Sequence, residues 1–447
     1  MREELDRQAR KLRQLEQEVA HQERAVQHPG QPASVGSVNP NRFSIESTDG
    51  LNVLRFGGLI QADGRYFADD ATPASANTWL LRRVRPILEG TLDGIFDFRI
   101  MPDFGGGKTI LQDGYVAVRF APAAALTVGK FKVPVGLEQL QSPAEIRFLE
   151  RGLPSDLVPN RDVGVRIGGE LAAGRLGYAV EYFNGVTDGN SSDSNPTPDF
   201  GSTGKGDVAA RLFLQPLLRD RDSVLQGLGF GIAGTYTSFT GSPTTPLLAA
   251  YKTVGQQTFF SYRSNAAATA TTPATTNGTY ASGERLRWTP QLYYAFRNLA
   301  LLGEYVHVSE GVARTIRTTP RSALLVNTGW QAQLSWFITG ERESYRGFAP
   351  RSTFAVGRPG WGAFELAARV DELSIDPAAF AGGSDSFANP ATSARVARDI
   401  GVALNWYWNA NVRWSLDYDQ THFEGGGPGY SSRPDEKALF LRTQLAF

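Results

Sequence analysis

Arg83 and Arg85, Lys130 and Lys132, and Arg285 and Arg287 stand two residues apart, each pair inside a run that alternates with apolar positions. Period two is the repeat of a β-strand, so both members of a pair project from one face of a sheet. The same parity places Arg99, Arg119, Arg166, Arg211 and Arg369 on that face. A wet wall carrying such cations attracts anions and repels cations. Acids share the wall, namely Asp97, Asp103, Glu170, Glu365 and Asp371, so part of the basic set is expected to be spent in ion pairs along it.

Covalent and metal chemistry find little support. The chain has no cysteine, which removes disulfides, thiolate nucleophiles and cysteine metal sites. Of its four histidines, His21 and His28 lie in the N-terminal segment or at its end and His307 and His422 on separate strands, and there is no G-x-S-x-G elbow. Gly229-Phe-Gly-Ile-Ala-Gly234 matches a dinucleotide fingerprint but sits inside a period-two run with no helix after it. Residues 105–109, Gly-Gly-Gly-Lys-Thr, lack phosphate-loop spacing, and 188–193 lack the sixth-position glycine of a calcium loop. The expectation is a non-enzyme without cofactor or metal.

The elements that hold these residues follow from composition and pattern. Basic and acidic side chains number 45 each, and this zero net charge argues against nucleic acid as a partner. Only seven of the basic residues are lysine, and arginine's planar fork suits carboxylate and phosphate, although an arginine-rich genome gives the same bias. No window approaches the roughly 18 apolar residues of a membrane helix. A membrane could then be crossed only by a closed barrel.

From about residue 43 the chain reads as strand after strand. Phe96, Phe98 and Ile100 oppose Asp97 and Arg99; Trp330, Leu334 and Trp336 oppose Gln331, Gln333 and Ser335. The last ten residues put Leu439, Leu441, Leu445 and Phe447 on one face and Phe440, Arg442 and Gln444 on the other. Aromatics crowd strand ends, as in Trp406-Tyr-Trp408, Tyr293-Tyr294 and Trp414, in the manner of an interfacial girdle. Segments beginning near 53, 79, 94, 113, 126, 162, 175, 207, 227, 285, 299, 329, 362, 399, 412 and 438 make an all-β chain, a sixteen-stranded antiparallel transmembrane barrel. Residues 184–207 and 238–283 read as long polar outer loops. A barrel needs export, and Met1-Arg-Glu-Glu-Leu has no apolar leader, so a leader is expected to have been removed or left out.

Two segments stand apart from the strands. Leu5, Leu12, Val19 and Val26 fall seven apart with Gln8, Leu15 and Gln22 between, a heptad register that predicts a short periplasmic α-helical coiled coil over residues 1–28; a helix lying on the barrel is the alternative. Residues 29–42 then read as linker and 43–447 as barrel. Residues 134–162 combine Arg147, Arg151 and Arg161 with apolar Leu137, Ile146, Phe148 and Leu149. Such spacing suits a loop folded into the lumen as a constriction, packing on the wall while presenting charge, about as well as an outer loop packed on its neighbours.

Val128-Gly-Lys-Phe-Lys-Val-Pro-Val-Gly-Leu-Glu138, Leu149-Glu-Arg151, Asn160-Arg-Asp-Val-Gly164, Thr339-Gly-Glu341, Gly362-Ala-Phe-Glu-Leu-Ala-Ala-Arg369 and Gly401-Val-Ala-Leu-Asn-Trp-Tyr407 occur in this order. In that order they resemble the phosphate-selective porin O/P family over residues ~50–447. The resemblance implies a homotrimeric outer-membrane barrel, set among lipid and lipopolysaccharide, with an inward third loop and an arginine ladder leading to a basic constriction. It implies ladder roles for Arg82, Arg83 and Arg211, and an acidic position beside the constriction for Asp103. Leu59 stands where the family's first ladder arginine is expected, and residues 304–311 lack the basic residues expected after Glu-Tyr. The reading is therefore a passive outer-membrane channel for small anions, phosphate or polyphosphate among them. Its rivals are a non-selective porin whose arginines only brace the wall, and a barrel that anchors a coiled-coil tether.

Overall fold

The computed structural model describes residues 35–39, 43–68, 76–189, 191, 206–265, 275–316, 319–345, 347 and 350–447, with side chains from Phe43 onward. The heptad segment 1–28 lies outside the described residues. Within the expected linker, β1 (Val35–Asn39) forms a hairpin with β2 (Ser44–Ser47), and β2 adds to the sheet edge.

The barrel opens with β3 (Val53–Phe67), β4 (Thr78–Leu92), β5 (Phe96–Asp103), β6 (Ile110–Ala121), β7 (Ala124–Lys132) and β8 (Arg161–Leu171). It continues through β9 (Leu176–Phe183), β10 (Asp207–Leu214) and β11 (Leu228–Thr240). A hairpin of β12 (Ala250–Lys252) and β13 (Thr258–Ser261) interrupts the series inside a loop. The wall resumes with β14 (Tyr280–Phe296), β15 (Leu299–Ile316), β16 (Thr319–Phe337) and β17 (Ala363–Ser374). It ends with β18 (Ala394–Tyr407), β19 (Val412–Gly425) and β20 (Glu436–Ala446). Neighbours pair antiparallel, and β20 pairs with β3 from Ala438 opposite Phe67 to Ala446 opposite Leu59, which closes sixteen strands into a barrel.

Side-chain burial alternates along these strands, but with apolar groups outward. On β20, Leu439, Leu441 and Leu445 are exposed while Phe440, Arg442 and Gln444 are buried. On β19, Trp414, Leu416 and Tyr418 face out and Arg413, Asp417 and Asp419 face in. An apolar surface of this extent is stable only against hydrocarbon. At the closing seam Arg442 grips Asp63 with two hydrogen bonds, Nε to Oδ1 at 2.6 Å and Nη2 to Oδ2 at 2.7 Å, both side chains sealed from solvent. Such a paired fork fixes register as well as contributing energy.

One end of the barrel carries tight turns. Asp93-Gly94, both at positive φ, join β4 to β5, and Arg297-Asn298 join β14 to β15. Aspartate and glycine tolerate that left-handed backbone, so the turn matches the twist of its strands. By the usual arrangement of such barrels this short-turn end faces the periplasm. Strand lengths differ strongly, from 8 residues in β5, β9 and β10 to 17, 18 and 19 in β14, β15 and β16. Since about 9–11 residues suffice to span a bilayer, the long hairpin stands well clear of the membrane. β16 accordingly begins ten residues before the expected 329.

Candidate ion pathway

The segment between β7 and β8, residues 133–160, crosses the lumen and docks on the far wall. A short helix, α1 (Leu137–Leu140), is held at its carboxyl end by Lys132, whose Nζ donates to the carbonyls of Gln139, Leu140 and Gln141 at 2.6–3.1 Å. A cation there satisfies carbonyls that the helix leaves orphaned. Beyond it the loop is pinned by its own backbone. Arg413 and Asn405 donate to the carbonyls of Ile146 and Arg147, Arg442 to that of Leu149, and Arg369 to that of Glu150. The Leu149 amide donates to Asp417 at 2.5 Å, and Phe148 packs on Ala367 and Ala403 of β17 and β18.

What this loop covers is acidic. Arg369 pairs with Asp371 at 2.8 Å and Asp419 at 3.3 Å, with Asp399 at 4.0 Å, while its guanidinium lies 4.2 Å from the Phe148 ring centre. These acids and Asp417 are at most 2% exposed. Arg147 similarly bonds Glu343 and Glu365 at 2.7 and 2.6 Å. The far wall thus holds many carboxylates that no passing ion can reach.

The wall opposite is basic. Arg82 and Arg83 are adjacent in sequence, and a regular strand would send them to opposite faces. A bulge resolves this: Gln61 faces Arg83 and Ala62 faces Leu81, so Arg82 is the extra residue and also turns inward. Arg82 clasps Glu150 of the loop through Nε at 2.5 Å and Nη2 at 3.0 Å, while Arg65 adds a bond at 2.7 Å and Arg83 stands 3.8 Å away. Burial alone would push the Glu150 carboxyl up; Arg82, Arg65 and Arg83 outweigh it and hold the group well below the usual carboxylate range. A carboxyl so depressed keeps its clasp above the normal carboxylate pKa and loses it only as the pH falls through the lowered value.

Below this clasp lies a cavity of about 410 Å³ lined by Arg85, Arg99, Lys132, Arg161 and Arg166, against Asp113. Arg85 binds Asp103 at 2.6 Å, and Arg161 and Arg99 share Asp113 at 2.7 and 3.2 Å. Arg166 is different: it donates to the Lys132 carbonyl at 3.4 Å and stacks 4.5 Å over Phe131, with no carboxylate at ion-pair distance among the described residues. Arg151 likewise donates to the carbonyls of Glu138 and Gln141. Both guanidiniums bond neutral oxygens, and Glu181 stands opposite Arg166 on the neighbouring strand.

The other expected positions scatter. Arg119 lies at the short-turn rim, paired with Asp97 at 3.0 Å. Lys130 is buried on β7 beside this wall, and Arg211 lines a second cavity. Arg285 and Arg287 are at most 2% exposed and pair with Asp207, Arg287 also with Asp188, so, like Arg369, they brace the protein and face no open space. The interior at their level is filled by packed side chains. The hairpin β12–β13, read as part of a polar outer loop, folds inside and buries Tyr251, Phe259 and Phe260 against Val306, Val308 and Leu325. Asp156 of the crossing loop accepts from the Lys252 amide at 2.7 Å, and burial pushes its carboxyl up to about 7. Of the girdle aromatics, Tyr293 turns inward while Tyr294 stays at the rim.

Sequence reasoning missed the roles of Glu150 and of Asp399, Asp417 and Asp419. Asp417 and Asp419 do stand two apart on β19, which was a legible signal. Nothing in the spacing of Glu150 distinguished it from its neighbours.

The model of a family described as phosphate-selective porin O and P matches residues 54–209 and 261–447. No curated protein matches the sequence. Among solved structures, the outer-membrane channel DcaP of Acinetobacter baumannii aligns over 90% of this chain and 99% of its own, at 9% identity and TM-score 0.53. An anion-selective porin from Comamonas acidovorans covers 89% of this chain and 100% of its own, at 11% identity and TM-score 0.50. The trimer form of OmpT of Vibrio cholerae gives 89%, 99%, 9% and 0.50 in the same terms. At such identities the likeness is one of fold.

Proposed function

Because the chain belongs to the phosphate-selective porin O and P family, we propose that this outer-membrane porin passes small anions through a lumen whose reachable charge is basic. One observation carries the reading: residues 133–160 seal Asp371, Asp399, Asp417 and Asp419 behind the loop, while Arg85, Arg99, Lys132, Arg161 and Arg166 line an open cavity. The barrel's near-equal totals of acid and base therefore do not cancel along the path. An anion entering beside Arg82 and Arg83 exchanges part of its hydration for guanidinium donors held in place by Glu150 and Asp103. The partial neutralisation matters, since binding must stay weak enough for release. Inorganic phosphate and short polyphosphates fit the planar donor fork of arginine, and the family's description points the same way.

The chain is proposed to work as a homotrimer, as the trimer form of the Vibrio cholerae barrel suggests, with residues 1–28 as a periplasmic coiled coil. A monomer mass for the full chain in detergent overturns that part alone. For the pore, planar bilayers in a potassium chloride gradient should give a zero-current potential of the sign set by chloride. Neutrality, or the potassium sign, would show instead a general porin whose arginines only brace the wall.

A further inference from the structure

A second cavity of about 650 Å³ opens at the short-turn end, between β10, β14 and the segment that joins β16 to β17. Its walls do not resemble those of the basic passage. Phe213, Tyr293 and Tyr345 present rings to it, with Tyr293 and Tyr345 edge to face at 5.2 Å. Tyr345 donates its hydroxyl to the Leu137 carbonyl at 2.6 Å, which ties this wall to the crossing loop.

Two cations there close no ion pair among the described residues. Arg211 donates Nε and Nη2 to Gln291 Oε1 at 3.1 and 3.0 Å and lies 4.7 Å over the Phe213 ring. Among the described residues it has no carboxylate at ion-pair distance. Arg342 on the rim donates to Gln226 Oε1 at 2.9 Å. Of the acids that face this space, Glu343 is held by Arg147 and Ser335, and Glu170 stands at the exposed rim.

We propose that this cavity is a binding subsite for organic anions with a flat aromatic body, exemplified by an aryl carboxylate. The carboxylate would meet the Arg211 guanidinium, and the ring would lie among Phe213, Tyr293 and Tyr345. Aromatic rings beside guanidiniums in a recess of this volume are the ordinary makings of a small-molecule site. The subsite rests on the reading of the protein as an anion-passing porin, and it adds a second substrate class to the inorganic ions.

Benzoate and acetate, equal in charge, separate the ring from the carboxylate. Added on the short-turn side of the protein in a planar bilayer, benzoate should lower chloride conductance saturably at about fivefold lower concentration than acetate. Phe213→Ala should erase that difference, and Arg211→Gln, which removes the carboxylate's partner, should weaken the block by both anions. Equal action of the two anions, or unaltered benzoate block in both variants, overturns the subsite. A channel without chloride preference that still distinguishes benzoate, and stops doing so in Phe213→Ala, would refute the general anion reading and leave the subsite standing.

Discussion

Arg166→Gln combined with Arg211→Gln should lower anion preference severalfold while the barrel folds and migrates as before. Among the described residues neither cation closes an ion pair: Arg166 bonds a backbone carbonyl and Arg211 a neutral amide. A unit charge about 7 Å from an ion's path in a water-like dielectric contributes roughly 0.6 kcal/mol, or about threefold in local ion concentration. The two positions lie in different cavities, so each should reduce the zero-current potential when changed alone. The loss should shrink in high salt, where a Debye length of about 3 Å at 1 M screens the wall. An unchanged potential in the double variant would mean that these side chains do not see the permeating ions.

Arg369→Met should do the reverse: little direct loss of lumen charge, but a large disturbance of the loop. Arg369 is the hub that lets Asp371, Asp399 and Asp419 lie together out of solvent, and it also holds the Glu150 carbonyl at 3.0 Å. Removing one partner from a buried ionic cluster costs about 3–5 kcal/mol, because the remaining charges stay buried without compensation. The acids can shed that cost by taking up protons, or, while they stay ionised, by letting residues 133–160 lift from the wall. The expected variant conducts more, shifts toward cations and unfolds at lower temperature in detergent. A change in stability with selectivity intact would show that the loop stays docked without this hub.

These outcomes bear on what could be read from the residues alone. The sixteen strands were legible because lipid on one side and a polar lumen on the other impose period two on nearly every segment, as in Leu439, Leu441 and Leu445 against Phe440, Arg442 and Gln444. The start of β16 was misjudged because Leu324 and Leu325 are apolar on both faces, Leu325 being wholly buried against loops that fill the lumen at that level. Arg285, Arg287 and Arg369 show the same limit from the other side. Parity tells which way a side chain points, but not whether open space or a folded loop awaits it. Arg82 and Arg83 could not both be placed inward by parity, since only the bulge opposite Gln61 and Ala62 permits it. Tyr251, Phe259 and Phe260 were the available hint, aromatics set in a loop otherwise rich in serine, threonine and alanine.

The central claim is that the crossing loop hides an acidic wall and leaves a basic one in contact with permeating ions. Because the chain contains no cysteine, single cysteines can report that contact without background. Arg166→Cys stands in the basic cavity, whereas Ala403→Cys lies under Phe148 on the covered wall. With an anionic thiol reagent, Arg166→Cys should be modified within minutes in the folded protein and Ala403→Cys should resist until the barrel is unfolded. Modification of Ala403→Cys as fast as that of Arg166→Cys would contradict the account.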